Sequence, residues 1–82
     1  MVYVEYRGEL ADLTGVPGEE LEAARVKDVL RHIKNAYGAE AHRHAKKMLV
    51  VVDRKSVTLL QNFNTPLHDG ARVGFLPICG GG

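Results

Sequence analysis

Residues 26–38 read Val26-Lys-Asp-Val-Leu-Arg-His-Ile-Lys-Asn-Ala-Tyr-Gly38, and their apolar side chains recur at steps of three and four. Side chains at these steps fall on one face of an α-helix, and the charged residues between them fall on the outer faces. Gly38 favours a stop, because glycine adopts the left-handed backbone at little cost. No good capping side chain precedes Val26, so periodicity alone supports the helix. We predict one main helix that starts at Val26 and stops at Gly38.

The residues before this helix predict a β-hairpin. Apolar and polar residues alternate from Val2 to Arg7, which is typical of a half-buried strand. Residues 9–15 predict one short amphipathic turn of helix. The turn pair Pro17-Gly18 marks residues 16–20 as a loop, and a short second strand is predicted over Leu21–Ala24.

The residues after the helix predict three more strands. Ala39–Lys47 is predicted to be a charged connector with room for a further helical turn. Met48–Asp53 is rich in valine and does not alternate, which favours a strand buried on both faces. A shorter strand is predicted to return over Val57–Leu60, and if it lies at the edge of the sheet one of its leucines faces out. The last strand ends at Pro77, which cannot donate to a sheet ladder.

A helix between a hairpin and a later group of strands is the order of elements in the β-grasp fold. We therefore predict an α+β fold with a mixed four- to five-stranded sheet and one main helix packed across it. The first and last strands are expected to run parallel at the centre of the sheet. Residues 1–77 are predicted to be the β-grasp domain, and residues 78–82 a flexible C-terminal tail.

Composition excludes several classes of function. The net charge of the 82 residues is +1 with the basic residues spread along the chain, which argues against nucleic acid as a partner. The longest apolar run, Met48–Val52, is too short to span a bilayer, so no membrane partner is expected. No secretory signal is recognisable, and the single cysteine, Cys79, cannot form an internal disulfide. These features favour a cytoplasmic protein.

Several segments resemble the molybdopterin synthase small subunit and related ubiquitin-like sulfur carriers. Val4–Gly15 is similar to that family's first strand and short helix, and Met48–Asp53 to its central strand. Pro66-Leu-His-Asp-Gly70 followed by Val73-Gly-Phe-Leu-Pro77 resembles its Asp-Gly turn and final strand. Gly81-Gly82 falls on its terminal diglycine.

The chain also departs from the family's pattern near its end. Ile78 stands where a second proline is common, and Leu76 where a second aromatic residue is usual. Cys79 and Gly80 replace a small apolar pair. These differences leave open which partner the chain fits.

The resemblance implies a sulfur carrier whose reactive group is the C-terminal carboxylate of Gly82. An adenylating, E1-like activating enzyme would use ATP to convert the carboxylate into an acyl-adenylate, and sulfur would then give a thiocarboxylate. A cysteine desulfurase or rhodanese-type protein would supply the sulfur, and the molybdopterin synthase large subunit or an equivalent acceptor would receive it. The catalytic residues would belong to these partners, so no catalytic side chain, bound cofactor or metal is expected here.

The predicted site is therefore a tail and a docking surface. An extended tail from Pro77 reaches roughly 18–20 Å, far enough to enter a partner's active-site tunnel. Glycine has no side chain that would block entry. The tail residues are Pro77, Ile78, Cys79, Gly80, Gly81 and Gly82. Exposed apolar residues often mark interfaces, and the residues predicted to dock a partner are Leu59, Leu60, Phe63 and Phe75.

Other functions remain open at this stage. The carrier could serve thiamine synthesis, tRNA thiolation or amino-acid synthesis, or Gly82 could form an isopeptide bond as a protein modifier. The chain could also be a plain interaction module with an inert tail. His42 and His44, with His32 and His68, suggest a metal site, but one cysteine and this spacing favour a solvated connector. A role for Cys79 as a second sulfur acceptor would need a lowered thiol pKa, of which the sequence gives no sign. The favoured interpretation is a small apolar residue at a position that tolerates substitution.

Overall fold

The computed structural model describes residues 1–78, which form a mixed five-stranded sheet with helices on one face. The strands are β1 (Val2–Tyr6), β2 (Gly18–Leu21), β3 (Leu49–Val52), β4 (Lys55–Ser56) and β5 (Arg72–Leu76). The helices are α1 (Glu9–Thr14), α2 (Val26–Tyr37) and α3 (Ala39–Lys46), and two single 3₁₀ turns span Val57–Leu59 and Asn62–Asn64.

The strand order is β2-β1-β5-β3-β4, so the last strand of the chain lies at the centre of the sheet. β1 and β5 run parallel, whereas the other neighbouring strands are antiparallel. This topology confirms the predicted β-grasp fold, including the parallel pairing of the first and last strands. The core lies between the inner face of the sheet and the helices.

Helix α2 confirms the periodicity that predicted it. Its apolar stripe is buried against the sheet and comprises Val26, Val29, Leu30 and Ile33. The cap that was not recognised in the sequence is supplied by Asp28, whose carboxylate accepts the backbone N–H groups of Ala24 and Arg25 at 3.1 and 3.0 Å. A carboxylate in the first turn also interacts favourably with the helix dipole.

The strand predicted to be buried on both faces is covered on one face only. In β3, Val50 and Val52 are buried, whereas Leu49 is exposed and Val51 is half-buried. Within residues 1–78 the helices pack on one face of the sheet, so alternate side chains of β3 point to the open face. The valine-rich run reflects the preference of branched side chains for strands, and its burial was predicted wrongly.

Three other segments differ from the prediction. β2 spans Gly18–Leu21, so it begins in the predicted loop, and only Leu21 of the predicted strand Leu21–Ala24 belongs to it. The predicted connector after Gly38 is the two-turn helix α3, which buries Ala41 and Ala45. The predicted strand at Val57–Leu60 is instead a 3₁₀ turn, started by the Ser56 hydroxyl, which accepts the Thr58 N–H at 3.3 Å.

The end of β5 agrees with the prediction. β5 ends at Leu76, directly before Pro77. The predicted tail at 78–82 lies, apart from Ile78, outside the described residues. Within residues 1–78, no helix combines the length and apolar character needed to cross a membrane.

Candidate functional site

The candidate site begins where the chain leaves the central strand of the sheet. Phe75 on β5 is paired in parallel with Tyr6 of β1, and Leu76 is paired with Leu49 of β3 on the other side. The chain therefore leaves the sheet from a strand that is hydrogen-bonded to a neighbouring strand on each side. Pro77 is exposed, and 69% of the surface of Ile78 is exposed. The route towards Gly82 thus starts from a firmly held point and reaches solvent within two residues.

Gly8 lies beside this exit. It has a φ of +62°, and a Cβ built on it would lie 3.6 Å from Cγ of Pro77. Any other residue there would adopt a strained backbone and bring its side chain against the proline ring. The positive φ, rather than the space beside the proline, therefore accounts for glycine at this position.

Phe75 does not lie on a docking surface, so its inclusion among the docking residues is corrected. Its side chain is fully buried, and its ring centroid lies 6.2 Å from that of Tyr6. Alternation along β5 places Leu76, not Phe75, on the open face of the sheet. Phe75 instead anchors the last strand in the core.

The open face carries an apolar strip at the exit that the sequence analysis missed. Leu49 is 38% exposed and Leu76 is partly exposed, and the two are direct cross-strand partners. Ile78, two residues beyond Leu76 along the chain, adds a further exposed apolar side chain near this strip. The alternation of β5 about Phe75 could have predicted that Leu76 lies on the open face. The exposure of Leu49 could not be predicted in this way, because Leu49 belongs to a run that was interpreted as buried on both faces.

The other three predicted docking residues lie at the edge of the sheet. Leu59 is 80% exposed and Leu60 is 40% exposed, both close to the 3₁₀ turn after β4. Phe63 is partly buried and packs on the core. Because β4 is the outermost strand on its side, these residues do not adjoin the chain exit at β5.

The histidines do not gather into one site. His32 lies on Glu19, with its Nε2 atom 3.1 Å from the carboxylate. The two nitrogens of His68 lie 2.7 Å from the Asp53 carboxylate and 2.8 Å from the Asp69 carbonyl oxygen. Within residues 1–78, no group of three His, Cys, Asp or Glu side chains could hold a metal ion.

The electrostatics of His42 and His68 also differ. Burial and the nearby Lys46 and Lys34 lower the pKa of His42. The hydrogen bond to Asp53 raises the pKa of His68, since it favours the charged imidazole. His42 therefore belongs to a basic surface, and His68 to an ion pair.

A hollow of about 490 Å³ lies on the open face over Gly74 of β5. Glu5 and Val51 flank Gly74 as its direct neighbours on β1 and β3. A Cβ at Gly74 would lie 3.1 Å from Cγ2 of Val51. Because Gly74 has no side chain, its backbone forms the floor of the hollow. The remaining lining residues are Arg7, Asp53, Arg54, Arg72 and Leu76. Leu76 connects the hollow with the apolar strip at the exit.

Comparison with solved structures finds the same fold in several small proteins. Small archaeal modifier protein 1 from Methanosarcina acetivorans is 23% identical, with a TM-score of 0.84 over 99% of this chain and 95% of that chain. A chain of the BexX/CysO complex from Amycolatopsis orientalis is 21% identical, with a TM-score of 0.84 and complete coverage, 100% of each chain. A Pyrococcus furiosus protein described as molybdopterin converting factor, subunit 1, is 27% identical, with a TM-score of 0.68 over 95% of this chain and 97% of that chain.

Comparison at the level of sequence identifies the family. No curated protein gives a significant match to the chain. The model of the ThiS family matches residues 4–82, which is nearly the whole chain and includes its last glycine. Together with the β-grasp topology and the central position of β5, this match establishes that the chain belongs to the ThiS family of ubiquitin-like sulfur carriers.

Proposed function

We propose that this protein carries sulfur as a thiocarboxylate on Gly82 and donates it in molybdopterin biosynthesis, as the small subunit of a two-protein synthase. The observation that carries the proposal is the position of the chain exit. β5 lies at the centre of the sheet with strands on both sides, and the chain reaches solvent at Pro77, five residues before Gly82. A folded body that holds this segment firmly can present the terminal carboxylate to an enzyme.

The chemistry needs no catalytic side chain from this protein. The Gly82 carboxylate attacks the α-phosphate of ATP, which gives an acyl-adenylate and releases pyrophosphate. Hydrosulfide then attacks the acyl carbon, so that a C–S bond forms and AMP leaves with the electron pair of the broken C–O bond. The product is a thiocarboxylate. Activation and sulfur delivery belong to the partners, and ATP is a substrate of the activating enzyme.

These steps require three kinds of partner protein. An E1-like activating enzyme adenylates the tail. A cysteine desulfurase or rhodanese-type protein supplies sulfur as a protein persulfide, from which a thiol releases hydrosulfide while the persulfide becomes a disulfide. The synthase large subunit accepts the sulfur from the thiocarboxylate. We propose that the apolar strip of Leu49, Leu76 and Ile78 contacts the partner while the tail, Pro77–Gly82, enters its active site. Leu59, Leu60 and Phe63 are proposed as a second contact, at the β4 edge. ATP and reduced sulfur are both available in the cytoplasm, where we place the reaction.

The choice of pathway is supported by the Pyrococcus furiosus protein, whose description names molybdopterin conversion. A second candidate has its own support. The Methanosarcina acetivorans protein matches with a higher TM-score and is named a modifier, which favours an isopeptide bond between Gly82 and a target lysine. The chain from the BexX/CysO complex supports assembly with a partner protein, and sulfur donation to another acceptor is the third candidate. All three candidates share activation at Gly82 and differ in the molecule that accepts the sulfur or the glycyl group.

The test is reconstitution with the host's activating enzyme, ATP and sulfide, followed by measurement of intact mass. Exchange of one oxygen for sulfur resembles a single oxidation in mass, and Met1, Met48 and Cys79 can oxidise. An alkylating reagent selective for thiocarboxylates, and a variant lacking Gly82, separate the two. A shift that alkylates and requires Gly82 supports the carrier, whereas an unchanged carboxylate contradicts it.

Adding the large subunit and its sulfur-free pterin substrate then tests the pathway. Conversion of that substrate supports the molybdopterin assignment. Appearance of lysine-linked conjugates in host extract, without conversion, would support the modifier.

A further inference from the structure

The hollow over Gly74 lies on the open face of the sheet. Its floor is backbone, because Gly74 has no side chain, and its walls include the apolar side chains of Val51 and Leu76. With a volume of about 490 Å³ it is large enough for several atoms of a neighbouring loop, and not merely for one methyl group. It also adjoins the exit of the chain at Leu76.

The charges around the hollow leave an excess of positive charge. The Glu5 carboxylate is shared between Arg7 and Arg72, at 3.2 and 3.6 Å. The Asp53 carboxylate is occupied by the His68 ring at 2.7 Å and by the backbone N–H of Arg72 at 3.0 Å. Both acidic groups of the lining are therefore already engaged.

Arg54 is the remaining charged group of the lining. Among the ion pairs formed within residues 1–78, its guanidinium takes part in none. The rim of the hollow thus carries three guanidinium groups against two satisfied carboxylates. A ligand group that complements this rim has to be negative.

The backbone conformation at Arg54 is strained for a residue with a side chain. Asp53 and Arg54 form the tight turn between β3 and β4, with φ values of +49° and +73°. Glycine or asparagine is preferred at such positions, since a bulkier residue is strained in the left-handed region. A glycine at position 54 would relieve the turn, so the presence of arginine is explained by what its side chain does.

We propose that this hollow receives a loop of the activating enzyme that carries an aspartate or glutamate side chain. The methylene part of such a side chain packs over Gly74 between Val51 and Leu76, and its carboxylate pairs with Arg54 at the rim. This inference rests on the proposed function, because it assigns the face next to the chain exit to the enzyme that acts on Gly82. It adds the chemistry of the contact: an acidic anchor, not an apolar one.

The test measures the dissociation constant of the activating enzyme for Arg54→Gly and Arg54→Asn by calorimetry. Both residues suit a positive φ, so the variants keep the turn and lose the charge. Loss of one charge-assisted contact raises the dissociation constant roughly ten- to fiftyfold. R54G should also raise the melting temperature by about 2–5 °C, because the strain is relieved. Increased stability together with weaker binding is the expected signature.

Two matched variants serve as controls. Arg54→Lys keeps the positive charge and should recover most of the affinity at low salt. Lys27→Gln removes an exposed positive charge from α2, on the opposite layer, and should change the dissociation constant less than about twofold. The difference between R54G and wild type should shrink at high salt, since the contact is electrostatic.

Each outcome decides the proposal separately from the proposed function. If wild type is thiocarboxylated but R54G and R54N bind like wild type, the acidic anchor is refuted and the carrier function stands. If wild type is not thiocarboxylated, the proposed function fails. If ultracentrifugation finds a wild-type dimer that R54G abolishes, with no change in binding of the enzyme, the occupant is a second copy of this chain and the proposal is overturned.

Discussion

Replacing Glu19 with alanine is expected to lower the free energy of unfolding by about 3 kcal/mol. Glu19 lies on the edge strand β2, and one of its carboxylate oxygens accepts the hydroxyls of Tyr6 and Tyr37 at 2.6 and 2.8 Å. The same oxygen lies 3.1 Å from Nε2 of His32. Tyr37 and His32 belong to α2, so this carboxylate fastens the edge strand to the main helix.

The magnitude depends on what each partner loses. Tyr6 is buried, so a hydroxyl left without an acceptor costs about 1–3 kcal/mol. Tyr37 and His32 are only half-buried, and water can replace part of their bonds, so each adds about 0.5 kcal/mol. The expected total is therefore about 2–4 kcal/mol, a large part of the stability of a domain of this size.

Urea denaturation followed by circular dichroism measures this loss as a shift of the midpoint at unchanged slope. Glu20→Ala is the matched control, because Glu20 is exposed on the same strand and should change stability by less than about 0.5 kcal/mol. If Glu19→Ala costs no more than Glu20→Ala, the carboxylate does not hold β2 to α2 and the reasoning is wrong.

The same group predicts the pH dependence. Burial of Glu19 favours its neutral form, but the hydrogen bonds from Tyr6 and Tyr37 and the charge of His32 outweigh burial and lower its pKa. A carboxylate with a lowered pKa stabilises the fold above its unfolded value of 4.5, and this contribution is lost as the pH falls through the lower folded value. The stability difference between wild type and Glu19→Gln should therefore narrow below pH 4.5. A difference that grows in acid would contradict this sign.

Three further outcomes are expected. Phe75→Ala should lower the free energy of unfolding, measured by urea denaturation, by about 3–5 kcal/mol, because the side chain is fully buried. A near-neutral result would contradict the burial of Phe75. Asp28→Ala should cost about 1 kcal/mol and fray the start of α2 in amide hydrogen exchange, since its carboxylate is the cap; unchanged protection of the first turn would disprove this role. Asp53→Asn should bring the pKa of His68, followed by NMR titration, down towards 6.5, because the hydrogen bond that raises it is weakened. A His68 titration that does not move would show that Asp53 is not its partner.

Elements with a complete local signal could be predicted from the sequence. The stripe of α2 and the alternation of β1 specify both the type of element and the face that is buried. Pro77 fixed the end of β5, because a residue without an N–H cannot extend the ladder. The order of these elements was then enough to predict the β-grasp topology.

The missed elements depend on distant partners. Glu19 and Glu20 resemble a loop locally. The inward position of Glu19 is explained only by its distant partners Tyr6, Tyr37 and His32. The signal for α3 was present but weak, since its buried positions are alanines spaced four apart, Ala41 and Ala45.

The surface of the candidate site was harder to predict than the fold. The pairing of Leu49 with Leu76 depends on the neighbouring positions of β3 and β5, which the chain does not reveal locally. The hollow over Gly74 likewise needs three strands in register. A strand pattern shows which residues alternate, but not which side of the sheet lacks a covering layer.

The proposed function depends on the claim that sulfur is carried on Gly82. The most direct measurement is the mass of the C-terminal peptide of this protein, purified from its own host and alkylated at once with a reagent selective for thiocarboxylates. The expected result is an alkylated peptide ending in Gly82 that disappears when the host lacks the activating enzyme. A C-terminal peptide that is always an unmodified carboxylate, in hosts with and without that enzyme, would contradict the claim.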